Sequence, residues 1–184
     1  MGEPDNRYAV VHIDKMMKLF LTLIFGLLSW GTAAADPGLE PVLQSMSRHE
    51  RPVSDLRITY EAGNPHDGRG KDKLEILGNG NLTVEHFEGN QSTVLSDMLT
   101  DETALMIVNE MLESKFWLAQ RPRKPSDPRS FDETEVTIRV STVQKDADFS
   151  LTVPQVEATL NPHLINLVKV FEILIRETSS ATRS

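Results

Sequence analysis

Lys15 and Lys18 stand before an uncharged run from Leu19 to Ala35, and that run decides how much of this 184-residue chain can enter a folded domain. Leu19 to Leu28 is largely apolar, and Ala33-Ala34-Ala35 closes the run with small side chains before Asp36. A basic start, a short apolar core and a small-residue cleavage site, in that order, make a secretory signal peptide. A membrane span needs about 20 apolar residues, and this core reaches ten before Ser29, Trp30, Gly31 and Thr32 dilute it. The expectation is export, with cleavage between Ala35 and Asp36 and a periplasmic or extracellular product; an uncleaved anchor is the alternative, and the one route to a membrane. Glu3, Asp5 and Asp14 are foreign to a basic leader, which points to translation starting at Met16 or Met17.

Residues 36–184 then have to build the fold. That length suits one domain burying roughly two-thirds of its unfolded surface. The chain has no cysteine. Oxidising compartments are where a small domain would use disulfides, so an exported chain without them relies on its apolar core, and thiol chemistry is excluded. The net charge is −8. The leader carries as many bases (Arg7, Lys15, Lys18) as acids, so the acidic balance survives its removal. Nucleic-acid binding needs a basic face, and none is expected here.

Periodicity gives the elements. Residues 36–55, with Pro37, Pro41 and Pro52, read as a flexible lead-in with a short helical turn near Pro41 to Ser47. The domain is expected over residues 56–178, with a disordered tail at 179–184. Leu56 to Tyr60 alternates as a half-buried strand does, and Gly63 to Gly70 has the composition of a loop. Leu74 to Leu77 and Leu82 to Phe87 flank Gly78-Asn79-Gly80-Asn81, a hairpin signal because Asn-Gly readily takes positive φ. Thr100 or Asp101 caps a helix through about Phe116, with Ala104, Ile107, Val108, Met111 and Leu112 on one face. After the proline-rich stretch Arg121 to Pro128, Glu135 to Val140 and Phe149 to Val153 alternate as a second strand pair. Asn161-Pro162 opens the last helix, whose stripe is Leu164, Leu167, Val168, Phe171, Leu174 and Ile175. Strand, hairpin, helix, hairpin, helix predicts an α+β fold: a largely antiparallel sheet of about five strands with two helices on one face.

No sequence motif assembles an active site. Gly63 and Gly68 have the spacing of a phosphate loop, but Arg69 and Gly70 stand where its lysine and hydroxyl belong. His86 with Glu88, and His66 with Asp67, fall short of the three or four ligands zinc requires, and His49-Glu50 does not continue into H-E-x-x-H. His86 and Glu88 read as a solvated strand face with Phe87 pointing inward. Ser92 and Thr93 have no histidine close in sequence, and no glycine-framed nucleophile is present. Asn81-Leu82-Thr83 and Asn90-Gln91-Ser92 are acceptor sequons, relevant only in a eukaryotic secretory pathway. Arg121, Arg123, Lys124 and Arg129 form the one basic cluster on an acidic chain. They are either a solvated connector or, restrained by their prolines, a binding loop for an acidic protein partner.

From Phe116-Trp117-Leu118 through an irregular loop, the strands Glu135 to Val140 and Phe149 to Val153, Pro154 and the closing amphipathic helix, the layout resembles the emfourin-like family of small exported bacterial α+β domains. The resemblance spans roughly Leu56 to Glu177 and implies inhibition of secreted metalloproteases by a presented loop. The glycine- and phenylalanine-rich segment of that family is replaced here by Ala62-Gly63-Asn64-Pro65-His66, so no inhibitory residue transfers. The expected function is an exported, non-enzymatic binding domain that needs no cofactor or metal; a loop-presenting protease inhibitor and a small exported hydrolase are the alternatives.

Overall fold

The computed structural model describes residues 38–64, 70–119 and 134–181. Six strands form one antiparallel sheet in the order β4-β3-β2-β1-β5-β6. They are β1 (Leu56–Asn64), β2 (Gly70–Leu77), β3 (Asn81–Glu88), β4 (Gln91–Met98), β5 (Glu135–Thr142) and β6 (Asp148–Pro154). Among the described residues four α-helices accompany them: α1 (Leu39–Ser47), α2 (Asp101–Ser114), α3 (Gln155–Leu160) and α4 (Ile165–Ala181). The fold is α+β, as the alternation of periods implies, with one strand more than expected.

Strand register sets the core. Leu95, Val84, Leu74, Tyr60, Ile138 and Leu151 are successive cross-strand partners from β4 to β6, so they form one rung on one face. The neighbouring rung includes Leu82, Ile76, Ile58, Val140 and Phe149. Both rungs are buried except at the β4 edge, and they join Ile107, Val108, Met111, Leu167, Val168 and Phe171 from the helices in one core. Burying side chains of this size stabilises by about 1.5–3 kcal/mol each, which is how a cysteine-free domain holds together.

The helices follow their local signals. Thr100 Oγ1 accepts from the Thr103 amide at 3.2 Å and so caps α2; Lys115, at φ +50°, ends that helix in a left-handed turn. Asn161 Oδ1 accepts from the His163 amide at 2.9 Å, satisfying a donor that the turn into α4 would otherwise leave free. His163 Nδ1 meets the Ser114 carbonyl at 2.7 Å, tying the start of α4 to the end of α2.

Several expectations need correction. The helical turn expected near Pro41 to Ser47 is a full helix, α1, and it is packed rather than part of a flexible lead-in: Leu39, Leu43 and Met46 enter the core, and Pro41 sits in the first turn, where a missing amide donor costs nothing. The folded unit therefore starts well before Leu56. At the other end, α4 runs through Ser179 to Ala181. Strand β1 extends to Asn64 and β2 begins at Gly70, so the expected loop is shorter at both ends. Phe87 does not point inward. Leu82 and Val84 are the buried residues of β3, and the two-residue period puts Phe87 on the opposite face and His86 on theirs. The extra strand, β4, escapes detection by period because seven of its eight residues are exposed, leaving no alternation to find.

Candidate functional site

One rung further along the helix-covered face, the row reads Thr93, His86, Asp72, Ala62, Val136 and Val153. On β5 and β6 it stays apolar. On β2, β3 and β4 it turns polar, where the previous rung has Leu74, Val84 and Leu95. Polar residues on the face that elsewhere holds the core mark the end of the packed layer, and the rim of a concave site.

A cleft of about 420 Å³ opens beside this rung, between the end of the sheet and α4. Tyr60 and Asp72 line it from the sheet, Glu172, Ile175 and Arg176 from α4, and Gln155 from the start of α3. The backbone closes one corner, where the Gln155 amide donates to the Thr134 carbonyl at 2.8 Å. Two other depressions of similar size are present among the described residues, one beside Arg51, Val53 and Gly78, the other beside Arg57, Val143 and Lys145.

What separates the first cleft from these is Tyr60. The residue is 0% exposed, its ring lies 5.1 Å from that of Phe171, and its buried hydroxyl has no hydrogen-bond partner among the described residues. Leaving such a group unpaired costs about 1–3 kcal/mol. Burial, with the negative charges of Glu172 and Asp72 as lesser causes, pushes the phenol pKa well above its ordinary value. The group stays protonated, available as a neutral donor or acceptor and unsuited to act as a nucleophile.

The charged side chains differ in how far they are committed. Asp72 Oδ1 is bonded to His86 Nδ1. Glu172 and Arg176 are four residues apart on one face of α4, the spacing at which opposite charges meet, yet among the described residues they form no ion pair with each other or with any other group. Among the described residues the cleft thus presents a carboxylate, a guanidinium and a phenol that have no partner.

Sequence-derived candidates fare differently. Arg121, Arg123, Lys124 and Arg129 lie outside the described residues, as do His66 and Asp67. Of the two glycines with phosphate-loop spacing, Gly63 pairs with Lys71 at the end of β1, at φ +111°, and Gly68 lies outside the described residues. His86 and Glu88 share a face, but the partner that matters to His86 is Asp72, fourteen residues away on the adjacent strand. Thr93 stands directly across β4 from His86, a proximity the sequence hides because β4 carries no strand period. Among the described residues no three His, Asp or Glu side chains gather as a metal site, and no helix is long and apolar enough to cross a membrane. No protein-family model matches this chain, and no curated protein matches it.

Proposed function

We propose that this chain is an exported, non-enzymatic binding domain whose ligand enters the cleft between α4 and the polar end of the sheet. The observation that carries the reading is the buried hydroxyl of Tyr60, without a hydrogen-bond partner among the described residues, on the wall of a cleft that also presents Glu172 and Arg176, which form no ion pair among those residues. Binding sites are concave and keep a few polar groups free to orient a ligand. The leader from Lys15 to Ala35 supports export.

A thermal-shift screen of the purified protein against small polar metabolites tests the reading, with the double variant Glu172→Gln, Arg176→Gln as control. Both side chains are exposed, so the variant keeps the fold. A compound that raises the wild-type midpoint and leaves the variant's unchanged is the expected result. If every stabilising compound acts on both proteins alike, the cleft is not the site. N-terminal sequencing of exported material should begin at Asp36, and material retaining Met1 or Met16 would contradict cleavage.

A small hydrolase is favoured by one specific observation. Asp72, His86 and Thr93 are side by side on three adjacent strands, the order of carboxylate, imidazole and hydroxyl in nucleophilic catalysis. Against it, His86 makes no hydrogen bond to Thr93 among the described residues, and the row lies at an exposed sheet edge rather than in a water-excluded pocket. Ester and amide substrates separate the readings: turnover abolished by His86→Ala would replace binding with hydrolysis.

A further inference from the structure

The cleft's charges constrain what fits it. A simple anion would meet Arg176 but also face the carboxylates of Asp72 and Glu172, on a chain of net charge −8. A simple cation would satisfy Glu172 and leave Arg176 beside a like charge. Glu172 and Arg176 project from the same face of α4 one helical turn apart, so one small ligand can reach both. Ile175 and Ala62 add apolar wall beside them. A volume of about 420 Å³ lies within the range of sites for small molecules.

Resting on the reading of this cleft as the binding site, we propose that its ligand is a small zwitterion carrying both an ammonium and a carboxylate, of the class of free α-amino acids. Its ammonium lies against Glu172 and the second oxygen of Asp72. Its carboxylate takes the Arg176 fork, the geometry guanidinium groups match best. The Tyr60 hydroxyl completes the set by bonding one of the two polar ends, gaining a partner that it lacks among the described residues. An aliphatic side chain rests on Ile175 and Ala62.

Titration calorimetry of the full-length purified protein tests this with leucine, leucine methyl ester and N-acetyl-leucine, the last two each missing one charge, followed by the remaining free amino acids. Leucine, or another member of that set, is expected to bind. Removing either charge from that ligand should weaken binding by about tenfold or more. Arg176→Gln should weaken the parent ligand while abolishing discrimination against the ester, and Glu172→Gln should do the same toward the acetylated form. Tyr60→Phe should weaken binding, and Glu113→Gln, exposed on α2 and outside the cleft lining, should leave it unchanged. Binding of the methyl ester alone, lost in Glu172→Gln, would overturn the zwitterion but keep the cleft as the site. Binding that ignores both cleft variants would overturn both readings. Failure of every free amino acid to bind at millimolar concentration would overturn the zwitterion and leave the metabolite screen to judge the cleft.

Discussion

Arg51 Nη1 donates to Asp146 Oδ2 at 2.6 Å, joining the segment before β1 to the β5–β6 turn across 95 residues of sequence. The same guanidinium holds Asp55 through Nε at 2.7 Å, and Thr142 Oγ1 donates to Asp146 Oδ1 at 2.6 Å. One cation thus fixes both the entrance to the central strand and the far hairpin. Arg51, with a smaller contribution from Thr142, holds the Asp146 carboxyl well below the usual carboxylate range. A carboxylate whose folded pKa lies below its unfolded value of about 3.9 adds stability above that value and loses it as pH falls through the folded pKa. Urea midpoints of wild type and Asp146→Asn should therefore stay separated from neutrality down to about pH 4 and converge only as pH falls below it toward the folded pKa. Parallel curves through that window would show that the pair contributes nothing to acid stability.

Phe171 sits at the centre of the α4 stripe, 0% exposed and in ring contact with Tyr60, whereas Lys169 is exposed. Phe171→Ala should destabilise the domain by about 3–5 kcal/mol through lost contacts and a residual cavity. Lys169→Ala should change stability by less than about 0.5 kcal/mol. Equal denaturation midpoints would mean that the packed face of α4 is misplaced.

The stripe containing Phe171 is legible in the sequence because α4 buries one face and hydrates the other, and both hairpins that supply the buried rungs are legible for the same reason at period two. Strand β4 is not, and α1 is legible only as a short turn. Strand β4 exposes nearly all of its residues, and α1 has the composition of a proline-broken linker until the fold shows Leu39, Leu43 and Met46 sharing one face. The cleft is least legible. By pattern Tyr60 is an ordinary strand residue, and only the fold brings it to Glu172 and Arg176. One local sign exists: Asp72 and His86 occupy positions where the alternation of β2 and β3 calls for apolar side chains.

The β2–β3 turn offers a steric test. Residues Gly78, Asn79 and Gly80 form the whole connection; the Gly80 amide donates to the Leu77 carbonyl at 2.9 Å, and only Gly80 takes positive φ, at +95°. Gly78 is needed for a different reason: a Cβ built there would lie 1.7 Å from the Val53 carbonyl oxygen, while the Gly78 amide donates to the Leu56 carbonyl at 2.7 Å. Because the obstacle is backbone, Gly78→Ala should destabilise by about 2 kcal/mol or more, at the upper end of overpacking effects. Chemical denaturation that finds the variant as stable as wild type would show that Val53 and the turn can separate freely.

Tyr60→Phe discriminates a site from a packing residue, because the two roles predict opposite signs. The ring contact with Phe171 survives the substitution, and the only loss is a buried hydroxyl without a partner among the described residues. Deleting an unsatisfied polar group relieves its desolvation penalty, so the ligand-free variant should be more stable than wild type by about 1 kcal/mol. Affinity for the cleft's ligand should fall at the same time. Gain in stability with loss of binding is the pattern expected where a fold tolerates a local penalty for the sake of a site. Urea denaturation without ligand decides the first half: a variant less stable than wild type would mean that the hydroxyl is already hydrogen-bonded in the folded protein and is not waiting for a ligand.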